Sequence, residues 1–81
     1  MKSVFVLQHL HTLPGGEEDI KLVGVYSSEA LALKAVARLA SQPGFREDPT
    51  VVDPAGDKID GFYISNYAID VDYWTEGFVT V

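Results

Sequence analysis

Residues 27–41 read SSEALALKAVARLAS, and this segment carries the clear helical pattern of the chain. Alanine and leucine, the strongest helix formers, fill its interior. At about 100° per residue, its apolar side chains share one broad face, which consists of Ala32, Leu33, Ala35, Val36, Leu39 and Ala40. Lys34 and Arg38 lie on the opposite side. The pattern predicts one amphipathic helix over about residues 28–41 that packs on one face of a sheet.

Signals at both ends of this segment define where the helix begins and ends. Ser27 is a candidate N-cap, because its hydroxyl can accept a hydrogen bond from a free N–H group of the first turn. Glu29 follows in that turn, where a negative charge is favourable beside the positive end of the helix dipole. Pro43 cannot continue the helix, and Gly44 readily adopts the positive φ of a C-terminal turn. Leu31 lies at the border of the polar side, as a boundary residue or as part of a contact surface.

Length and composition indicate one small folded domain that covers residues 1–81. A chain of 81 residues buries only about 60–65% of its unfolded surface, so its core is modest. Its apolar content of 47% is typical of a globular protein. The chain has no cysteine, which excludes disulfides, thiolate metal sites and thiol nucleophiles, and which is consistent with a cytoplasmic protein.

The charge balance bears on the possible partners. The formal net charge is −6, from 6 basic and 12 acidic side chains, and such a surface repels phosphate backbones. We therefore expect no nucleic-acid partner. The apolar run near the N-terminus is too short for a signal peptide, and no stretch reaches the roughly 20 apolar residues that span a membrane. We expect no membrane association and a cytoplasmic location.

Alternating apolar residues predict two strands before the helix, over residues 3–10 and 20–26. The first strand is apolar on both faces, which is typical of a central strand. The loop between the strands, residues 12–19, contains Pro14, Gly15 and Gly16 and is short enough for an antiparallel hairpin. In the second strand, strict alternation places Ile20, Leu22, Gly24 and Tyr26 on one face, and Lys21, Val23 and Val25 on the other. Gly24 allows close approach of the helix or marks a bulge.

The chain after the helix contains a long irregular segment and then two predicted strands. Residues 42–60 include three prolines, and the sequence leaves open a short extra strand at residues 50–53. Residues 61–70 (GFYISNYAID) are rich in aromatic and β-branched residues and predict a third strand. Residues 74–80 (WTEGFVT) predict a short fourth strand. Tyr63 and Tyr67 fall on one face of the third strand, opposite Phe62 and Ile64.

The predicted fold class is α+β, with the order β-β-α-β-β. A right-handed crossover gives one antiparallel sheet in the order 2-1-3-4, with a single helix on one face. One helix cannot cover both faces of such a sheet, so the uncovered face should display Tyr63, Tyr67 and other apolar groups. Large exposed apolar patches usually mark an interface. We therefore expect a homodimer, or binding to another protein.

Five short motifs also resemble a known protein family. They are VFVLQH at 4–9, KLVGVYSS at 21–28, QPGF at 42–45, DGFYI at 60–64 and DYWTEGF at 72–78. In this order they resemble a family of short bacterial proteins classed as a domain of unknown function, and the resemblance covers nearly the whole chain. It implies a bacterial origin and supports the domain boundaries. It implies no catalytic residue.

His9 and His11 form an H-x-H pair that could bind a metal. On a strand, both rings would project from the same face, and Glu17, Glu18 or Asp19 across the hairpin could supply a third ligand. The alternative is a partly buried sheet histidine, His9, beside a solvated loop-edge residue, His11. The acids Asp53, Asp57 and Asp60 do not match the spacing of an EF-hand loop and are interpreted as solvated turn residues. The expectation is no catalytic residue, no cofactor and no bound metal.

Four aromatic residues are the candidate interaction residues: Tyr63, Tyr67, Tyr73 and Trp74. Trp74 either closes one end of the core or belongs to a contact surface, because tryptophan and tyrosine are enriched at binding hot spots. We expect a non-catalytic interaction or regulatory module of a bacterial cytoplasm. One alternative is a small-ligand module that uses Tyr63, Tyr67 and Trp74. Another is a metal-binding protein or small enzyme that uses His9 and His11.

Overall fold

One antiparallel sheet and one helix make up the described part of the chain, which is residues 2–73 of the computed structural model. The elements are β1 (Ser3–Thr12), β2 (Glu18–Tyr26), α1 (Glu29–Leu39) and β3 (Gly61–Ala68). The strand order is β2-β1-β3. The predicted α+β class and the central place of the first strand are therefore confirmed. The predicted fourth strand, residues 74–80, and with it the full order 2-1-3-4, lies outside the described residues.

Helix α1 begins one residue later than the sequence pattern predicted. Ser28, and not Ser27, is the N-cap: its backbone is extended (φ −149°, ψ 158°) and its Oγ accepts a hydrogen bond of 3.2 Å from the N–H of Leu31. The helix ends at Leu39, two residues before the predicted end, and Gly44 has the positive φ that a turn requires (94°). Within residues 2–73, no helix is long and apolar enough to cross a membrane.

The core lies between α1 and one face of the sheet. Leu7, Ala35, Val36 and Phe62 form its centre, and Ala32 is also fully buried. Alanine side chains let the helix backbone approach the strands, so that the large side chains beneath it lose contact with water. Burial of a leucine or phenylalanine side chain stabilises the fold by about 1.5–3 kcal/mol, so Leu7 and Phe62 are principal contributors.

A β-bulge in β2 changes which of its side chains share a face. β1 pairs with β2 from Leu7 opposite Gly24 directly to Gln8 opposite Leu22, so Val23 is an extra residue. The predicted strict alternation over residues 20–26 is therefore wrong. Ile20, Leu22 and Val25 lie on one side of the sheet, while Gly24 and Tyr26 lie on the side of the helix. The ring of Tyr26 fills the space over Gly24 that a Cβ atom would need.

The long connection between α1 and β3 packs against the sheet at two places. The ring of Phe45 stacks on Phe62 with the ring centroids 5.5 Å apart. Val51 forms a parallel bridge with Phe62, in which the N–H of Phe62 donates to Thr50 and the N–H of Val52 donates back to Phe62, both at 2.9 Å. The sequence left open whether residues 50–53 form a short extra strand. The structure has a single bridge there and no strand.

The two serines before α1 provide a matched pair for a stability test. We expect Ser28→Ala to lower the free energy of unfolding by about 1 kcal/mol, because the N–H of Leu31 loses its acceptor. Ser27→Ala should change it much less, since Ser27 is not the cap. Urea denaturation followed by circular dichroism measures both values. Equal losses in the two variants would contradict the assignment of the cap.

Gly61 is the glycine at which a side chain should be most damaging. Its φ is +143°, and a Cβ atom there would lie 2.5 Å from the carbonyl oxygen of Thr50. We expect Gly61→Ala to cost about 1–3 kcal/mol of stability, as a strained backbone does, because the bridge to residues 50–52 must open. Gly15→Ala is the control, since its Cβ would meet Glu17 at an ordinary 3.5 Å. A midpoint of urea denaturation that shifts equally in both would show that this close approach does not exist.

Candidate functional site

The side of the sheet opposite α1 is the first candidate surface, which we call the open face. Directly paired residues of antiparallel strands project to the same side, so the register defines its members: Val4, Val6, Gln8, Leu10, Ile20, Leu22, Val25, Tyr63, Ser65 and Tyr67. These side chains carry no charge, and Glu18, which pairs with Thr12 at the end of β1, places one carboxylate at the margin of this face. The open face is a largely apolar surface that crosses all three described strands, with its one strand carboxylate, Glu18, at one end.

The apolar groups that β2 contributes to the open face are well exposed, whereas Val4, Val6 and Leu10 of β1 are half-buried. Leu22 is 67% exposed, Ile20 57% and Val25 56%. A shallow hollow of about 230 Å³ lies among them, lined by Gln8, Leu10, Ile20, Tyr63 and Ser65. Single exposed apolar residues are normal on any protein, whereas a contiguous group of them usually marks a contact surface. The expectation of an uncovered apolar face is thus met by the described residues.

The tyrosines selected from the sequence lie at two places along β3. Tyr63 is near the middle of the open face, and its hydroxyl donates to the carbonyl of Ile59 at 2.5 Å. Tyr67 and Tyr73 meet edge to face, with their ring centroids 5.2 Å apart, and the N–H of Ala68 donates to the hydroxyl of Tyr73. Trp74 lies outside the described residues. The structure therefore brings Tyr67 and Tyr73 together at one end of the open face.

A groove on the other side of the sheet bears on the small-ligand alternative. It has a volume of about 330 Å³ and is lined by Glu29, Leu33, Val51, Val52, Pro54, Tyr63 and Ile64. Tyr63 is among the lining residues, although its pairing with Gln8 directs its side chain to the open face. Tyr67 is not among the lining residues, so the described residues do not form the expected wall of aromatic rings.

His9 belongs to the core. Its side chain is fully buried and lies edge-on to Phe45 and Phe62, with ring centroids 4.9 and 4.7 Å away. Its Nε2 donates to the backbone carbonyl of Asp48 at 3.1 Å. Within the described residues its Nδ1 is buried without a hydrogen-bond partner. His9 is therefore more deeply buried than the sequence indicated, and it positions the long connection.

His11 lies two residues further along the same side of β1, beside two acids from the long connection. Its Nδ1 is 3.2 Å from Oδ2 of Asp48. Asp60 accepts two hydrogen bonds from Thr12, from the hydroxyl at 2.7 Å and from the N–H at 3.1 Å. One ligand atom from each of His11, Asp48 and Asp60 can be chosen so that all three lie within 4.8 Å of one another. We call these three residues the His11 cluster.

Sequence reasoning found one member of this cluster in its metal hypothesis and missed the other two. It expected the third ligand from residues 17–19, and Asp19 does pair with His11 across the hairpin. The carboxylate of Asp19, however, forms an ion pair with Lys21. Asp48 is separated from His11 by 37 residues, and no local pattern links them. Asp60 was noticed, but as a turn residue.

Two of the carboxylates near this end of the sheet are held in their charged form. The hydrogen bonds from the side chain and backbone of Thr12 lower the pKa of Asp60 below its ordinary value of 3.8. The hydrogen bond from Lys21 lowers the pKa of Asp19 in the same way. A hydrogen bond to a carboxylate favours the charged form, so both groups are negative at neutral pH.

Comparison with known proteins gives a family without a known activity. The model of a family described as a domain of unknown function (DUF7336) matches residues 2–78. This match confirms the resemblance to a domain of unknown function that the sequence motifs indicated. Neither the curated proteins nor the solved structures contain a match to the chain.

The lowered pKa of Asp60 predicts how acid affects stability. A depressed folded-state pKa contributes stability above the ordinary pKa, and this contribution is lost as the pH falls through the folded value. Asp60→Asn should therefore be less stable than the wild type at pH 7, and the difference should shrink once the pH drops below 3.8. Urea denaturation across pH 2–7 measures it.

Asp57→Asn is the matched control. Asp57 lies in the same connection, and within residues 2–73 its carboxylate accepts no hydrogen bond, in contrast to those of Asp60 and Asp53. A difference between Asp60→Asn and the wild type that stayed constant with pH would contradict the charged hydrogen bond with Thr12.

Proposed function

The chain belongs to the DUF7336 family, and we propose that it is a non-catalytic protein-interaction module of a bacterial cytoplasm that forms a homodimer through the open face. The observation that carries this proposal is the uncharged apolar surface made by the exposed side chains of Ile20, Leu22 and Val25. Contact with a second copy would remove these groups from water.

The size of the open face indicates how strong the dimer is. Strands of 8 to 10 residues, with a rise of about 3.3 Å per residue and a spacing of about 4.8 Å, give a plan of roughly 25 by 15 Å. A stable interface of standard size takes about 800 Å² from each partner. The open face supplies roughly half of that area in plan. We therefore expect a dimer that dissociates into monomers at low protein concentration.

Charge favours a second copy of the chain over a basic partner. The chain carries a net charge of −6, but within the three described strands only Glu18, at the margin, brings a charge to the side of the open face. A basic partner would gain nothing electrostatic from contact with uncharged valine, leucine and tyrosine side chains. Two copies can bring these surfaces together while their acidic groups remain in water, although their like net charges weaken the association.

The non-catalytic part of the proposal rests on the surroundings of the histidines. Within residues 2–73, neither imidazole is hydrogen-bonded to a hydroxyl group that it could activate as a nucleophile: His9 binds a backbone carbonyl and His11 binds a carboxylate. General-base activation of a nucleophile needs such contact. The aromatic residues Tyr67 and Tyr73 extend the apolar surface and fit a role in contact.

A charge placed in the open face should dissociate the dimer. We expect the mass of the wild type, measured by light scattering, to rise from monomer towards dimer with concentration. Leu22→Glu should remain a monomer over the same range, because it brings two carboxylates into an apolar contact. Leu33→Glu is the matched control: Leu33 is also exposed, at 46%, but lies on α1.

Salt distinguishes this dimer from binding to a basic protein. Added salt screens the repulsion between two acidic copies, so it should strengthen the homodimer. A monomeric wild type at all concentrations, or loss of the dimer in Leu33→Glu but not in Leu22→Glu, would overturn the proposal.

A further inference from the structure

We propose that the His11 cluster binds a divalent transition-metal ion of the zinc class. Its three side chains come from separate parts of the chain: His11 from β1, Asp48 from the long connection, and Asp60 from the residue before β3. The fold brings them together at one end of the sheet, where all three are partly buried. This assignment is independent of the proposed dimer.

The distances within the cluster suit a metal after a small adjustment. Zinc binds histidine nitrogen and carboxylate oxygen at about 2.0–2.2 Å, so tetrahedral ligands are roughly 3.4 Å apart. Nδ1 of His11 and Oδ2 of Asp48 are already 3.2 Å apart, and the three ligand atoms lie within 4.8 Å of one another. Movements of about 1 Å, which side-chain rotation can supply, would place an ion among them.

The donor set selects the class of ion. Calcium and magnesium prefer all-oxygen sites, whereas an imidazole nitrogen favours zinc and its neighbours among the transition metals. Two carboxylates give the cluster a negative charge that a cation would neutralise. Lys58 lies 3.6 Å from Oδ1 of Asp48, but its side chain is mostly exposed and can swing into solvent. Three protein ligands leave a fourth position for water.

Neighbouring groups orient two of the three ligands. The hydroxyl and N–H of Thr12 each donate to a different oxygen of Asp60, and each oxygen keeps a lone pair for an ion. The buried ring of His9 fixes the backbone of Asp48. Second-shell contacts of this kind orient metal ligands. His9 takes part through this contact, and His11 is the histidine that would bind the ion.

A zinc titration tests the site directly. We expect zinc to release heat on binding and to raise the melting temperature of the wild-type chain, because an ion that binds only the folded state stabilises it. Magnesium and calcium at the same concentration should produce neither effect. Cobalt(II), used as a visible probe, should give an absorption band on addition to the wild type.

The variants separate ligands from neighbours. His11→Gln and Asp60→Asn should each weaken zinc binding at least about tenfold, while Asp57→Asn, in the same connection, should bind as the wild type does. Leu22→Glu should also bind normally, since the open face lies on the other side of the sheet. For each variant, the melting temperature with zinc is compared with that of the same variant without zinc. A loss of stability caused by the substitution itself is therefore not mistaken for a loss of zinc binding.

Three results would overturn the assignment. The first is a wild-type chain that neither releases heat nor changes its melting temperature with zinc. The second is a titration in which His11→Gln, shown by circular dichroism to be folded, binds zinc as tightly as the wild type. Calcium or magnesium binding equal to that of zinc would likewise contradict a site selected by imidazole nitrogen.

Discussion

The packing of one short helix on one side of the sheet is the contact on which the rest of the structure depends. Helix α1 has 11 residues, and its Ala35 and Val36 pack in one cluster with Leu7 and Phe62. The helix and the long connection together bury that side of β1. Among the described residues, no helix covers the other side of the sheet. The apolar strand residues on that side therefore remain in contact with water.

A cluster of aromatic rings determines where the long connection runs. Phe45 stacks on Phe62, and His9 lies edge-on to both. These rings bury the beginning of the connection, and the hydrogen bond from His9 then places Asp48 beside His11. The packing of the core and the assembly of the His11 cluster therefore depend on the same three rings, although the cluster itself is polar.

The sequence predicted those features that depend on local periodicity and missed those that depend on pairing. The helix, its apolar face and the central first strand follow from repeats of 3.6 and 2 residues. The bulge at Val23 interrupts the second repeat, and the chosen N-cap, Ser27, is one residue early because both serines suit the position chemically. Asp48 reaches His11 only through the folded path of the long connection, which no spacing in the sequence reveals.

Register along β1 keeps the two proposed surfaces apart. Leu10 projects to the open face and His11, the next residue, to the side of the helix, because successive side chains of a strand alternate. A slip of one residue would move Leu7 and His9 from the core to the open face, so burial of these two side chains fixes the pairing of β1 with its neighbours. The bulge in β2 preserves this arrangement: without it, Val25 would turn towards the helix and Tyr26 towards the open face. One central strand can therefore present an apolar contact surface on one side and an ion-binding cluster on the other, and occupation of either leaves the other accessible.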